Sequence, residues 1–136
     1  MTRWSPMQYN LAMHDSQTTV AALRQMVQQF VERRDWRPFH APKNLAMSLA
    51  IEAAELMEHF QWLTIEQSRA VTGDPVKLAA VGEELADVLC YALAMANELE
   101  LDISQTVRDK MAKNERKYPV EEYRGRFGPE DPNPPG

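Results

Sequence analysis

The chain has 136 residues and a mass of 15.6 kDa, and its 15 basic and 20 acidic side chains give a net charge of −5. This length suits one domain and excludes two full ones. The negative charge excludes a protein that binds by neutralising many nucleic-acid phosphates, so no nucleic-acid polymer is an expected partner. No apolar segment is long enough to span a bilayer and no signal peptide is evident, so we expect no membrane association and a cytoplasmic protein.

Helical periodicity dominates the chain, and the Asn-Gly and Asp-Gly turns of a β fold are missing. Residues 1–14 are predicted to form an N-terminal arm. A first helix is predicted from about Ser16 to Arg34, capped by Asp15 or Ser16. The segment DWRPFHAP at 35–42 contains two prolines and is predicted to be an irregular connector.

Three more long helices and one short one are predicted. They run from Lys43 or Asn44 to about Leu63, over a short segment opened by Thr64, from Pro75 with Asp74 as cap to about Leu99, and from a turn at 101–104 to about Tyr118. The helical domain is therefore 15–118, and 119–136 is a proline-rich C-terminal tail. Four main helices with short connections predict an all-α antiparallel bundle. The second and third long helices are apolar over much of their circumference, which indicates a homo-oligomer.

Acidic residues on these two central helices have no basic partners nearby. Residues 44–68 contain four acids and residues 78–107 contain six, and neither segment has a Lys or Arg. A solvated helix face normally mixes the two signs, because acid and base four residues apart stabilise each other. The missing positive charge therefore needs another source.

Two of these acids on each helix have a spacing that places them in one seam, a line of residues along one face of the helix. The seams contain Ser48, Glu52, Glu55, His59 and Trp62 on the first helix, and Ala80, Glu84, Asp87, Tyr91 and Ala94 on the second. Buried carboxylates of like charge must either hold protons or share a cation. Four carboxylates from two helices match the oxygen ligands that Mg²⁺ or Mn²⁺ prefers. The alternative is that the acids are exposed and that cations arrive from another helix.

Basic and aromatic residues supply further candidates. The segment RDKMAKNERK at 108–117 has five basic side chains, which either contact a polyphosphate or form a solvated face. Trp36 and Trp62 either stack on a nucleobase or pack in the core. His40 is a candidate for ligand contact or for hydrogen bonding in the connector, and Cys90 is predicted to be a buried thiol.

The order Glu52-x-x-Glu55 and then Glu84-x-x-Asp87 resembles the metal signature of the all-α nucleoside triphosphate pyrophosphohydrolases, the MazG-like superfamily. The likeness covers about residues 20–125. It is strongest toward the branch that acts on dCTP, through four segments in the same order: DWRPFHAPKNL, EAAELMEHFQW, EELADVLCYAL and KMAKNERKYP.

The resemblance implies an enzyme that hydrolyses a deoxynucleoside triphosphate, dCTP foremost, to the monophosphate and pyrophosphate, for nucleotide-pool control or house-cleaning. It implies Mg²⁺, with Mn²⁺ as a substitute, held by Glu52, Glu55, Glu84 and Asp87. Glu52 or Glu55 would accept the proton of the attacking water. The implied substrate-binding residues are Trp36, His40, Trp62, Tyr91, Lys110, Asn114, Lys117 and Tyr118. The implied assembly is a tetramer, a dimer of dimers, whose pockets use more than one subunit. The alternative is a catalytically silent helical module that binds a nucleotide or a partner helix in the same groove.

Overall fold

The computed structural model describes residues 12–126 and residue 130. Within that part of the chain the regular structure is entirely helical, with no β-strand, which confirms the predicted all-α class. The helices are α1 (Val20–Glu32), α2 (Pro42–Glu58), α3 (Ile65–Arg69), α4 (Pro75–Glu98), α5 (Ile103–Lys117) and α6 (Val120–Tyr123), with 3₁₀ turns at Arg37–Phe39 and Ala70–Gly73. None of these helices combines the length and apolarity needed to cross a bilayer.

The chain divides into two compact units, of which the first ends at Leu101 and the second begins at Asp102. In the first unit α4 is the central element, because both α2 and α1 pack against it. The buried apolar residues of the described chain are few: Val31, Leu45, Val71, Ala94 and Ala96. Many apolar side chains on α2 and α4 stay exposed instead, among them Ile51, Met57, Leu85 and Leu89.

The first helix begins later than its sequence predicts. His14 O accepts hydrogen bonds from the backbone N–H groups of Gln17 and Thr18, at 2.9 and 3.0 Å, so the chain turns where Ser16 was expected to open the helix. Thr19 is extended and its hydroxyl accepts from Ala22 N at 3.0 Å. Thr19 is therefore the cap of α1, and the predicted caps at Asp15 and Ser16 are wrong.

Prolines and caps set the bounds of the next helices. Pro42 occupies the first turn of α2, where a missing N–H costs nothing. This helix ends at Glu58, before the predicted Leu63. The backbone hydrogen bonds after that point include ones between residues three apart, as in a 3₁₀ turn, such as Phe60 N to Met57 O at 3.0 Å.

Capping residues open α3 and α4 where the sequence predicts. Thr64 and Gln67 form a reciprocal capping box, with Gln67 N donating to the Thr64 hydroxyl and Thr64 N to the Gln67 side chain. Asp74 accepts from Lys77 N at 3.1 Å with Pro75 in the first turn of α4. Both predicted starts are confirmed.

A single arginine joins α1 to the C-terminal end of α4. Arg24 donates from Nε to Asn97 Oδ1 at 3.0 Å, from Nη1 to Leu101 O at 2.6 Å and from Nη2 to Ala96 O at 3.3 Å. Asn97 Nδ2 returns a bond to Arg24 O at 3.1 Å. A cation at this helix end satisfies free carbonyl groups and complements the helix dipole.

Among the residues that the structure describes, two other than glycine adopt the left-handed conformation, and each follows a helix. Asp35 has φ 51° and Glu100 has φ 52°. The residue after each one bonds back into the helix, Trp36 N to Val31 O at 3.1 Å and Leu101 N to Ala96 O at 3.0 Å. This is the Schellman arrangement, which reverses the chain and fixes the backbone of the following residue.

The second unit contains α5 and α6. Asp102 caps α5 by accepting from Gln105 N at 2.8 Å, and the helix ends at Lys117, before Pro119, as predicted. The segment after Pro119 was expected to contain no further element. It contains the single turn α6 instead, because Tyr123 N and Glu122 N both bond to Pro119 O.

Candidate metal and nucleotide site

Three carboxylates from two helices come together on the first unit. Glu52 and Glu55 of α2 and Glu84 of α4 each offer an oxygen, and these oxygens lie within 4.8 Å of one another. The first and last are half-buried, and Glu55 is exposed. Asp87 is outside this trio, although its charge acts on both half-buried members.

Burial, together with the neighbouring carboxylates, raises the pKa of two of these groups. Burial raises the pKa of Glu52 from 4.5 to about 7, and the hydrogen bond and charge of Glu55 contribute next. Burial also raises the pKa of Glu84, again followed by Glu55. Negative charge is therefore costly here unless a proton or a cation compensates it.

The donor set fits a divalent cation of the magnesium type. The Oε2 atoms of Glu52 and Glu84 are buried and have no hydrogen-bond partner among the described residues. Such orphaned anionic oxygens are expensive unless something positive binds them. Oxygen-only ligands favour Mg²⁺ or Mn²⁺ over softer metals.

His59 acts on one carboxylate of the trio, although the sequence analysis gave it no role. It follows Glu55 by one helical turn, and its charge lowers the pKa of Glu84 against the carboxylates that raise it. Its position four residues after Glu55 already placed it in the same seam. The proximity of His59 to α4 was not visible in the sequence.

A cavity of about 500 Å³ extends from the carboxylates to a group of aromatic rings. Its lining residues are Met26, Val27, Phe30, Val31, Trp36, His40, Glu52, Asp87, Cys90, Tyr91 and Ala94. The rings of Phe30, Trp36 and His40 form what we call the aromatic wall. Trp36 meets Phe30 edge-on, with ring centroids 5.8 Å apart and planes at 75°, and lies nearly parallel to His40, at 6.4 Å and 26°.

Of the four predicted substrate-contact residues in the first unit, three lie at the cavity and one does not. Trp36, His40 and Tyr91 line the cavity, but Trp62 does not, and 86% of Trp62 is exposed. Stacking of both Trp36 and Trp62 on a base is thus not formed within the described part of one chain. It remains a prediction for an assembly in which a second chain supplies the second indole.

Cys90 lines the cavity, and the prediction of a buried thiol is wrong. The residue is exposed, because its helix face borders the cavity and not the core. Desolvation, followed by the charge of Asp87, raises the pKa of the thiol. The thiol is therefore held in its neutral, weakly nucleophilic form.

The remaining predicted contact residues, Lys110, Asn114, Lys117 and Tyr118, belong to the second unit. The first three lie on α5, and Tyr118 follows at its end. Lys117 Nζ lies 5.1 Å from the centroid of the Tyr118 ring, which meets Tyr123 edge-on at 5.1 Å. Their position relative to the carboxylates stays a prediction.

Comparison with known proteins gives a consistent result. The model of the MazG-like family matches residues 47–126. The chain is 40% identical over 110 residues to dCTP pyrophosphatase 1 of Bos taurus and 39% identical over 102 residues to that of Homo sapiens. These alignments cover 81% and 75% of this chain, and they span 65% and 60% of the two relatives.

A solved structure shows the same fold. The crystal structure of a pyrophosphatase from Archaeoglobus fulgidus superimposes with a TM-score of 0.69 at 38% identity, covering 79% of this chain and 99% of that one. The family match includes both acidic pairs, and the relatives extend the likeness over most of the chain. The chain belongs to the MazG-like family.

Proposed function

We propose that this chain is a Mg²⁺-dependent nucleoside triphosphate pyrophosphohydrolase that converts a deoxynucleoside triphosphate, dCTP foremost, to the monophosphate and pyrophosphate. One observation carries the proposal: a single cavity joins an aromatic wall to the carboxylates Glu52 and Asp87. A nucleotide has this same division into a flat ring and a polyphosphate. The names of the relatives and of the solved structure support the reaction class.

Glu52, Glu55, Glu84 and Asp87 would hold the cation. A divalent cation, when bound, neutralises phosphate charge and makes water easier to deprotonate. The lining residues of the cavity in the described chain include no Lys or Arg, so positive charge for the phosphates must come from the cation or from residues outside this lining. We assign phosphate contacts to Lys110 and Lys117, which would supply charge, and to Asn114 and Tyr118, which would supply hydrogen bonds.

The chain's own carboxylates provide two candidates for the group that takes the proton from the attacking water. Glu52 is one candidate, because its side chain lines the cavity in which the substrate would lie. Glu55 is exposed, so solvent reaches it. Trp36 and His40 would hold the base, and Tyr91 would contact the sugar or base.

We also propose that the four main helices of the chain form an antiparallel bundle and that the chain acts as a homo-oligomer, a tetramer built as a dimer of dimers that assembles through the bundle. The exposed apolar residues of α2 and α4, with Ile51 at 58% and Leu89 at 54% exposure, support a second chain against these helices. The exposed Trp62 supports a pocket completed by another subunit.

The proposed function is tested by incubating the protein with each deoxynucleoside triphosphate and Mg²⁺ and measuring pyrophosphate and monophosphate. We expect dCTP to be cleaved, and activity to vanish with EDTA or in Glu84→Gln. Glu83→Gln is the matched control, because Glu83 is the exposed neighbour of Glu84.

The outcomes of this assay distinguish the possible functions. Faster cleavage of dTTP or dUTP would retain the reaction class and refute the dCTP assignment. Binding of nucleotides without release of pyrophosphate would identify a silent binding module. Turnover that survives both EDTA and Glu84→Gln would refute the metal site.

A further inference from the structure

Arg34 contacts the aromatic wall without lining the cavity. Its Cζ lies 3.6 Å from the centroid of the Phe30 ring and 5.8 Å from that of Trp36. Its Nη1 also donates to Phe30 O at 3.0 Å. A guanidinium over a ring face is attracted by the ring's quadrupole, and the hydrogen bond fixes where the guanidinium sits.

The backbone of Trp36 is fixed independently of this contact. Asp35 takes the left-handed conformation with φ 51°, and Trp36 N bonds to Val31 O at 3.1 Å. The indole therefore keeps only its side-chain rotations. These rotations are limited by Phe30 at its edge and by His40 beside its face.

These contacts form a chain of support. Arg34 holds the Phe30 ring, and the Phe30 ring meets the Trp36 indole at 75°. We propose that Arg34 is a positioning residue for nucleobase binding, which acts on the orientation of Trp36 through Phe30 and through its own position over the indole. The inference rests on the proposed function, in which Trp36 holds the base, and it names a residue that does not itself touch the nucleotide.

A purely structural role for Arg34 makes a different prediction. Its bond to Phe30 O lies in the last turn of α1, where a cation stabilises the helix end. Loss of that bond alone would lower stability and leave nucleotide affinity unchanged. Affinity must therefore be measured separately from folding.

The experiment compares Arg34→Gln with Arg37→Gln in steady-state kinetics with dCTP and Mg²⁺. Arg37 is a matched control on the other side of Trp36, because its side chain is 76% exposed and its ion pair with Glu98 is 3.7 Å long. We expect Arg34→Gln to raise KM about three- to tenfold. We expect kcat to stay within about twofold, since the carboxylates are untouched. Arg37→Gln should change neither value.

A double-mutant cycle with Trp36→Leu shows whether Arg34 acts through the indole. In the Trp36→Leu background, Arg34→Gln should raise KM no further. An unchanged KM in Arg34→Gln, an equal rise in both backgrounds, or the same rise in Arg37→Gln overturns the proposal. Thermal melts of every variant identify those that are folded.

A second measurement separates this proposal from the proposed function. The Kd of a non-hydrolysable dCTP analogue is measured by calorimetry for the wild type and for Arg34→Gln. If binding depends on Arg34 but the wild type releases no pyrophosphate, positioning stands and the hydrolase assignment fails. If the wild type hydrolyses dCTP and Arg34→Gln binds the analogue equally well, only the positioning proposal fails. A wild type that neither binds nor cleaves refutes both.

Discussion

Protons and divalent cations should compete for the acidic trio of Glu52, Glu55 and Glu84. The pKa of Glu52 is about 7 in the metal-free chain. Glu52 is therefore about one-tenth protonated at pH 8, about half at pH 7 and about nine-tenths at pH 6. Because the cation needs the carboxylate form, the apparent affinity for Mg²⁺ should fall about tenfold from pH 8 to pH 6. The pKa of Glu84 is also raised, so its protonation adds to this loss.

Isothermal titration calorimetry with Mg²⁺ or Mn²⁺ at pH 6, 7 and 8 measures this directly. Repeating the titration in buffers of different ionisation enthalpy counts the protons released, and we expect about half a proton from Glu52 at pH 7. Glu83→Gln, with its change at an exposed neighbour of the trio, should reproduce the wild-type curve. Equal affinity at pH 6 and pH 8, with no protons released, would show that the trio does not carry the shared charge inferred from its geometry.

Three further results are expected. The pKa of Glu52 is higher in the folded chain than the ordinary 4.5, so the metal-free protein should lose stability as pH rises from about 4.5 to 7. Glu52→Gln should make that loss smaller in thermal melts, and the contribution of Glu84 should remain. Arg24→Met removes three hydrogen bonds to the end of α4 and should lower the free energy of unfolding in urea by about 2–4 kcal/mol. Leu89→Glu places a charge on an exposed apolar face and should shift the protein to smaller species in light scattering.

Each of these expectations has a control and a contrary result. Glu83→Gln should keep the wild-type dependence of stability on pH. If Glu52→Gln also keeps it, groups other than Glu52 cause that dependence. Arg37→Met, at an exposed site, should lower the free energy of unfolding by about 0–1 kcal/mol. If it lowers that free energy as much as Arg24→Met does, the hydrogen bonds of Arg24 to the end of α4 are not the cause. Gln29→Glu adds the same charge at an exposed polar position of α1. If it also dissociates the protein, net charge and not the apolar face governs assembly.

The sequence predicts the parts of this molecule that depend on helical periodicity and on local caps. Glu52, Glu55 and Glu84 converge because spacings of three and four residues keep a seam on one helix face, and α2 and α4 then pack against each other. Asp74 followed by Pro75 opens α4 as expected because a cap and a proline act within one turn. The spacings and the cap are short-range effects, which the order of residues specifies, whereas the packing of α2 against α4 is a tertiary contact.

The remaining features depend either on a competing local turn or on tertiary packing. Thr19, and not Ser16, opens α1 because a turn around His14 O uses the preceding residues. The interaction of His59 with Glu84 joins two helices, and no spacing along one helix reveals it. Trp62 is apolar, which indicates burial in the sequence, but 86% of it is exposed among the described residues.

The small buried set described for the first unit also determines where substitutions will matter. A chain of 136 residues usually buries about two thirds of its unfolded surface, and its fully buried positions are the ones that tolerate least change. Here those positions are Val31, Leu45, Val71, Ala94 and Ala96, of which only Leu45 is a large side chain with less than 2% exposure. In the oligomer proposed above, mutational sensitivity should therefore extend to faces of α2 and α4 that look, in a single chain, like ordinary surface.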